Sequence, residues 1–98
     1  MTETSINYAK ALYELSVPEE AVLETEKIFR STPQLKGALE NPLVSLKEKE
    51  HVIDRVFPQE MKNFLKVTCK YQKISSIYDI LEAYGDYSRK QKLSLIHI

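Results

Sequence analysis

The sequence predicts an all-α fold, a compact bundle of about six short helices, and three observations lead there. Apolar residues recur at helical spacing along most of the chain. Only two glycines and four prolines interrupt 98 residues, too little punctuation for a multi-stranded sheet. No strand-like alternation of apolar and polar residues appears before the last few positions. Amphipathic segments joined by short polar links bury their stripes by packing helix on helix.

Each helix has its own justification. The first covers about residues 5–15, where apolar side chains dominate. Ser16-Val17-Pro18-Glu19 has capping-box spacing, the hydroxyl accepting from the Glu19 amide, and predicts a second helix to about Arg30. Thr32-Pro33 restarts the chain, because proline suits a first helical turn. The short third helix, residues 34–40, carries Leu35, Ala38 and Leu39 at helical spacing. Asn41-Pro42 ends it, since the residue before proline avoids the helical region.

Ser45-Leu46-Lys47-Glu48 is a second capping box. The helix after it places Leu46, Glu50, Ile53 and Phe57 on one side, flanked by Val52 and Val56. Pro58 begins a fifth helix to about Tyr71, with Met61, Phe64, Leu65, Thr68 and Gln72 as its core stripe. Ser76, with Asp79 three residues on, starts a sixth helix to about Lys90, whose apolar side is Ile77, Ile80, Leu81, Tyr84 and Tyr87. The length fits one domain, and 43% hydrophobic residues allow a small core.

Composition narrows the function. Fourteen basic and fourteen acidic side chains give zero net charge. Nucleic-acid binding draws on a basic excess that is absent overall. The charge is uneven: residues 1–60 hold seven basic and eleven acidic side chains, residues 61–98 seven and three. Oppositely charged helices packing together, or a basic face for an acidic partner, would each produce that split. The single cysteine, Cys69, forms no internal disulfide and fits a reducing compartment. The first residues carry no secretory signal, and no run approaches the roughly 18 apolar residues of a membrane span. A soluble protein is expected, reaching a membrane only through a partner.

No catalytic or ligand-binding chemistry is visible. His51 and His97 lack cysteines or carboxylates at zinc-ligand spacing, and no metal or cofactor is expected. Cys69 reads as a small buried hydrophobe at the edge of the fifth helix's stripe. Gly37 and Gly85 are isolated, so there is no glycine-rich phosphate loop. Nothing supports an enzyme.

Two helices carry more apolar surface than a small bundle requires. On the first, Tyr8, Ala9, Ala11, Leu12, Tyr13 and Leu15, with Ile6 and Ser16, cover roughly 220° at about 100° per residue. A surface helix usually shows a stripe a little over about 100° wide. Either this helix is central to the bundle or part of its arc faces another protein. On the fifth helix, Asn63, Val67 and Tyr71 form a row beside the core stripe, while Lys62, Lys66, Lys70 and Lys73 line the opposite flank. The lysines fit a solvated face, and the other row either peripheral core contact or a partner surface. If the two helices lie side by side, their surplus edges would form a groove for an amphipathic helix.

Several segments together resemble one family. Asn7-Tyr8-Ala9-Lys10-Ala11-Leu12-Tyr13-Glu14-Leu15 is similar to the opening helix of the delta subunit of F-type ATP synthases, called the oligomycin-sensitivity-conferring protein in mitochondria. Asn41-Pro42-Leu43-Val44-Ser45 with Glu48-Lys49 resembles its third-to-fourth helix link. Asn63-Phe64-Leu65-Lys66-Val67 and residues 77–84 resemble its fifth and sixth helices. The likeness covers about residues 5–92, and residues 1–92 are assigned as the N-terminal helical-bundle domain.

The resemblance implies a non-catalytic stator component, part of the peripheral stalk. The N-terminal helix of an alpha subunit would lie between the first and fifth helices. The residues implied are Tyr8 and Ala11 on one and Asn63 and Val67 on the other, with Leu12, Leu15 and Tyr71 beside them. It further implies b subunits of the peripheral stalk as partners of a missing C-terminal part, and a place at the cytoplasmic face of the bacterial cell membrane as a peripheral protein. Residues 93–98 follow the family poorly. They read as the translation of a transposon-end sequencing adaptor, or as a strand and linker towards a second domain. The alternative function is an RNA-associated helical bundle resembling transcription antitermination factors, with the lysine row as its footprint.

Overall fold

The computed structural model describes the backbone of residues 2–96 and the side chains of residues 2–93. It contains six α-helices and one short 3-10 turn, with no strand among the described residues. The helices are α1 (Glu3–Glu14), α2 (Glu19–Ser31), α3 (Pro33–Glu40), α4 (Leu46–Val56), α5 (Gln59–Lys70) and α6 (Ile77–Ile96). The all-α expectation holds. The contacts divide the chain into two units, residues 1–17 with 76–98 and residues 18–75.

In the first unit α1 packs on α6. Thr2 caps α1, its hydroxyl accepting from the Ser5 amide at 3.1 Å, so the helix starts two residues before the sequence expectation. Ser5, Ala9 and Leu12 are its buried residues, and Ile77, Ile80, Leu81, Tyr84 and Ser88 are buried on α6. Tyr13 joins the pair, its ring edge-on to Tyr87 at 5.2 Å and tilted against Tyr84 at 6.4 Å. The Lys10 ammonium lies 5.9 Å from the centre of the Tyr87 ring, within cation–π range.

Ser16 does not cap α2, as its box-like spacing suggests. It adopts a left-handed φ of 58° and closes α1, its N–H donating to the Tyr13 carbonyl at 3.1 Å. Pro18 takes the capping position of α2 without a side-chain hydrogen bond. A residue in this conformation completes the preceding helix and is badly placed to start the next.

The second unit holds α2 to α5, with α5 packing on both α4 and α2, and α2 also on α3. Phe29 and Phe57 meet with ring centres 4.9 Å apart, and Val22, Leu39, Ile53, Met61 and Leu65 are also buried in this unit. Local chemistry sets most helix boundaries as the sequence predicts. Pro33 is the first residue of α3, and Asn41, extended ahead of Pro42, ends it. The Ser45 hydroxyl accepts from the Glu48 amide at 3.2 Å. Buried Thr25 and Thr68 satisfy their hydroxyls by donating to the carbonyls of Ala21 and Phe64, at 2.8 and 2.7 Å.

The end of α5 differs from the expected stripe. Gln72 lies past the helix, exposed, with a left-handed φ of 58°. Its N–H donates to the Cys69 carbonyl, and the Lys73 N–H to the Thr68 carbonyl, the pair of bonds that defines a Schellman closure. α6 in turn runs beyond Lys90 to Ile96, so residues 93–96 are helical and the strand alternative fails there. His97 and Ile98 lie outside the described residues. Among the described residues, no helix is long and apolar enough to cross a membrane.

Candidate functional site

The surplus apolar surface expected on α1 is real. Tyr8, Ala11 and Leu15 lie at i, i+3 and i+7, within an arc of about 60° beside the buried Ser5, Ala9 and Leu12. Ala11 is exposed, Leu15 is 59% exposed and Tyr8 is half-buried. On the other edge of the buried stripe Ile6 is also exposed. Leu12 is different: it is fully buried, so it supports the face from below and offers no surface of its own. With exposed apolar side chains on both edges, α1 is not the enclosed central helix that its composition alone would allow.

In the other unit, α5 presents a second such face. Asn63, Val67 and Tyr71, spaced by four, fall within about 80° of one another, next to the buried Met61, Phe64, Leu65 and Thr68. All three are exposed, Val67 by 46% and Tyr71 by 58%. This row is open surface and not peripheral core.

The lysines on the far flank do not form a continuous basic array. Lys66 reaches across to Asp54 of α4 at 2.8 Å. That hydrogen bond, more than the nearby lysine charges, holds the Asp54 carboxyl below its usual value. Lys62 donates to Gln59, Lys70 sits over the Tyr71 ring, and Lys73 lies beyond the helix. Much of the row's charge is directed into contacts within its own unit.

Other candidate residues fall where the sequence places them. His51 is exposed on α4. Cys69 is buried, and burial pushes its thiol up to about 11, well away from the reactive thiolate range. No group of three or more histidine, cysteine, aspartate or glutamate side chains that could hold a metal occurs among the described residues.

Two features were missed. Leu23 on α2 is 61% exposed beside a hollow lined by Lys27, Ile28 and Thr32. Its signal was available: it falls far out of phase with Ala21, Val22, Thr25 and Phe29, which define the buried side of that helix. Lys49 is buried on α4, four residues before Ile53 and on the same face. A lysine in a charged run gave no reason to place it inside.

The described residues thus form an all-helical chain with apolar rows left exposed on two of its helices. The chain belongs to the ATP synthase delta (OSCP) subunit family, whose model matches residues 5–95. It is 32% identical over 96 residues to the ATP synthase subunit delta of Clostridioides difficile (strain 630), covering 86% of this chain and 53% of that protein. It is 28% identical over 94 residues to the ATP synthase subunit delta of Prochlorococcus marinus (strain MIT 9301), covering 85% of this chain and 52% of that protein. The chain thus spans about half the length of the curated relatives it matches. No solved structure matches it significantly.

Proposed function

We propose that this chain is a stator component of an F-type ATP synthase, and that it binds the N-terminal helix of an alpha subunit and helps hold the catalytic head against rotation. The observation that carries the reading is the family match across residues 5–95, together with exposed apolar rows on α1 and α5. Tyr8, Ala11 and Leu15 on α1, and Asn63, Val67 and Tyr71 on α5, are each proposed as an apolar row that an incoming helix contacts. Leu12 fixes the α1 row from within the core.

The mechanism is mechanical. Rotation of a central shaft drags on the head, and synthesis requires that the head stay still. A helix bound along an apolar face resists that drag because sliding or leaving would return its anchors to water. Each buried aliphatic or aromatic anchor contributes about 1.5–3 kcal/mol before the cost of ordering the peptide. The chain transfers no group in this role. The remaining half of a full-length relative is proposed to engage the b subunits of the peripheral stalk. The complex then sits at the cytoplasmic face of the cell membrane, and this chain touches the bilayer only through it.

The test is calorimetric titration of the chain with a peptide of the alpha-subunit N-terminus, comparing wild type with Ala11→Asp. Ala11 is exposed, so the substitution leaves the core intact, whereas an aspartate beneath a bound apolar helix would be desolvated. At least a tenfold loss of affinity is expected. Equal affinity in a folded variant removes α1 from the site. Against the RNA-binding alternative, one of the four lysines of the row, Lys66, is already paired with Asp54.

A further inference from the structure

The second unit contains a depression of about 560 Å³ where the C-terminal ends of α3 and α5 approach α4. Lys49 lines it, with only 8% of its surface exposed. Among the described residues no carboxylate or other acceptor pairs with its ammonium. A buried lysine is ordinarily paired. No buried side-chain nitrogen or oxygen among the described residues is sealed off without a partner, so this ammonium keeps contact with solvent.

Three polar side chains around it are able to donate. Asn41 uses its Oδ1 to accept from the Leu43 amide at 2.9 Å, leaving its NH2 group available. Gln72 and Ser75 also line the depression, and neither side chain has a hydrogen-bond partner among the described residues. One carboxylate, Glu40, stands on the wall, already paired with Lys36 at 3.2 Å. The carbonyls ending α5 repel an anion, but those of Val67, Thr68 and Cys69 already accept from Tyr71, Lys73 and Gln72.

We propose that this depression is an oxyanion site, in which the Lys49 ammonium binds a carboxylate or phosphate group and Asn41, Gln72 and Ser75 supply further hydrogen bonds. The oxyanion comes either from a free small anion or from an acidic side chain of a protein neighbour. Both present the same chemistry to Lys49. A hydrogen bond to a charged group is among the stronger ones available here, and removing it costs roughly tenfold or more in affinity.

The experiment is an NMR titration of the whole chain with inorganic phosphate at constant ionic strength, with chloride as control, followed by a short glutamate-containing peptide. Saturable shifts at residues 49, 69, 72 and 75 are expected. Saturation by phosphate assigns a small-anion site, and saturation by the peptide alone assigns a protein carboxylate. Lys49→Met should weaken binding about tenfold or more, Lys49→Arg should retain it, and Glu40→Gln should tighten it. The proposal is overturned if both ligands give only the non-saturating drift seen with chloride, or if Lys49→Met titrates like wild type. Should Lys49→Met fail to fold, Glu40→Gln decides on a chain with Lys49 intact: unchanged affinity there also overturns it.

Discussion

Gln72→Gly should stabilise the chain, although it removes a side chain and adds a glycine. Gln72 closes α5 with a φ of 58°, a conformation held by the Lys73-to-Thr68 hydrogen bond of 2.8 Å and its own 3.0 Å bond to Cys69. Left-handed backbone costs a residue with a Cβ roughly 1–2 kcal/mol. Glycine relieves that strain but brings greater freedom to the unfolded chain, which takes back about 0.5–1 kcal/mol. The exposed glutamine side chain contributes little packing. The net expectation is a gain of about 0.5–1 kcal/mol, or roughly 2–8 °C in melting temperature for a chain of this size. Urea unfolding followed by far-UV circular dichroism measures it, as a raised midpoint at unchanged slope. Gln72→Ala is the control, because alanine keeps the Cβ and should show no gain. If glycine proves no more stable than alanine, the left-handed closure of α5 is wrong.

Gly85→Ala, within α6, should also stabilise by about 0.5–1 kcal/mol, since a Cβ there meets only Arg89 Nη1 at 3.5 Å, an ordinary contact; a lowered melting temperature would show that α6 packs more tightly than described. Phe29→Ala empties a fully buried site against Phe57 and should cost about 3–5 kcal/mol, most of the stability of a small domain; a loss below about 1 kcal/mol in thermal melts would contradict the core assignment. Cys69 should react with thiol reagents far more slowly in the folded chain than in urea. Its folded value of about 11 lies above the unfolded 9.0, so its contribution to stability is complete below pH 9 and is lost as pH rises towards 11. Cys69→Ala should lack that alkaline loss, and an equal loss in the variant would assign it to other groups.

How much was legible depended on whether a signal was local. Pro33 at a first turn, Asn41 before Pro42 and Ser45 three residues before Glu48 act through the backbone of their own neighbourhood, and each was placed from the sequence. Ser16 and Gln72 were misread for one reason. Both close a helix in a left-handed conformation usually given to glycine, so no residue type marks the stop. Ser16 then resembled a cap for the next helix, and Gln72 seemed to extend the stripe of the last.

The candidate faces were legible in part. Periodicity gave the apolar arc of α1, but not which portion packing would cover. Leu12 and Ala11 are neighbours in sequence with equal claim to the partner row. Packing buries the first and leaves the second exposed. On α5 the row of Asn63, Val67 and Tyr71 stood apart from the stripe in sequence and remains open in the fold. Lys49 had no signal except its register with Ile53, because a charged residue on a core face can be read only after its surroundings are known.

The most direct test of the account is to map, amide by amide in NMR spectra, where an alpha-subunit N-terminal peptide binds this chain. The account predicts that the largest shifts fall on Tyr8, Ala11 and Leu15 of α1 and on Asn63, Val67 and Tyr71 of α5, leaving the exposed Leu23 side of α2 unchanged. Shifts confined to α2, or none at saturating peptide, would contradict it.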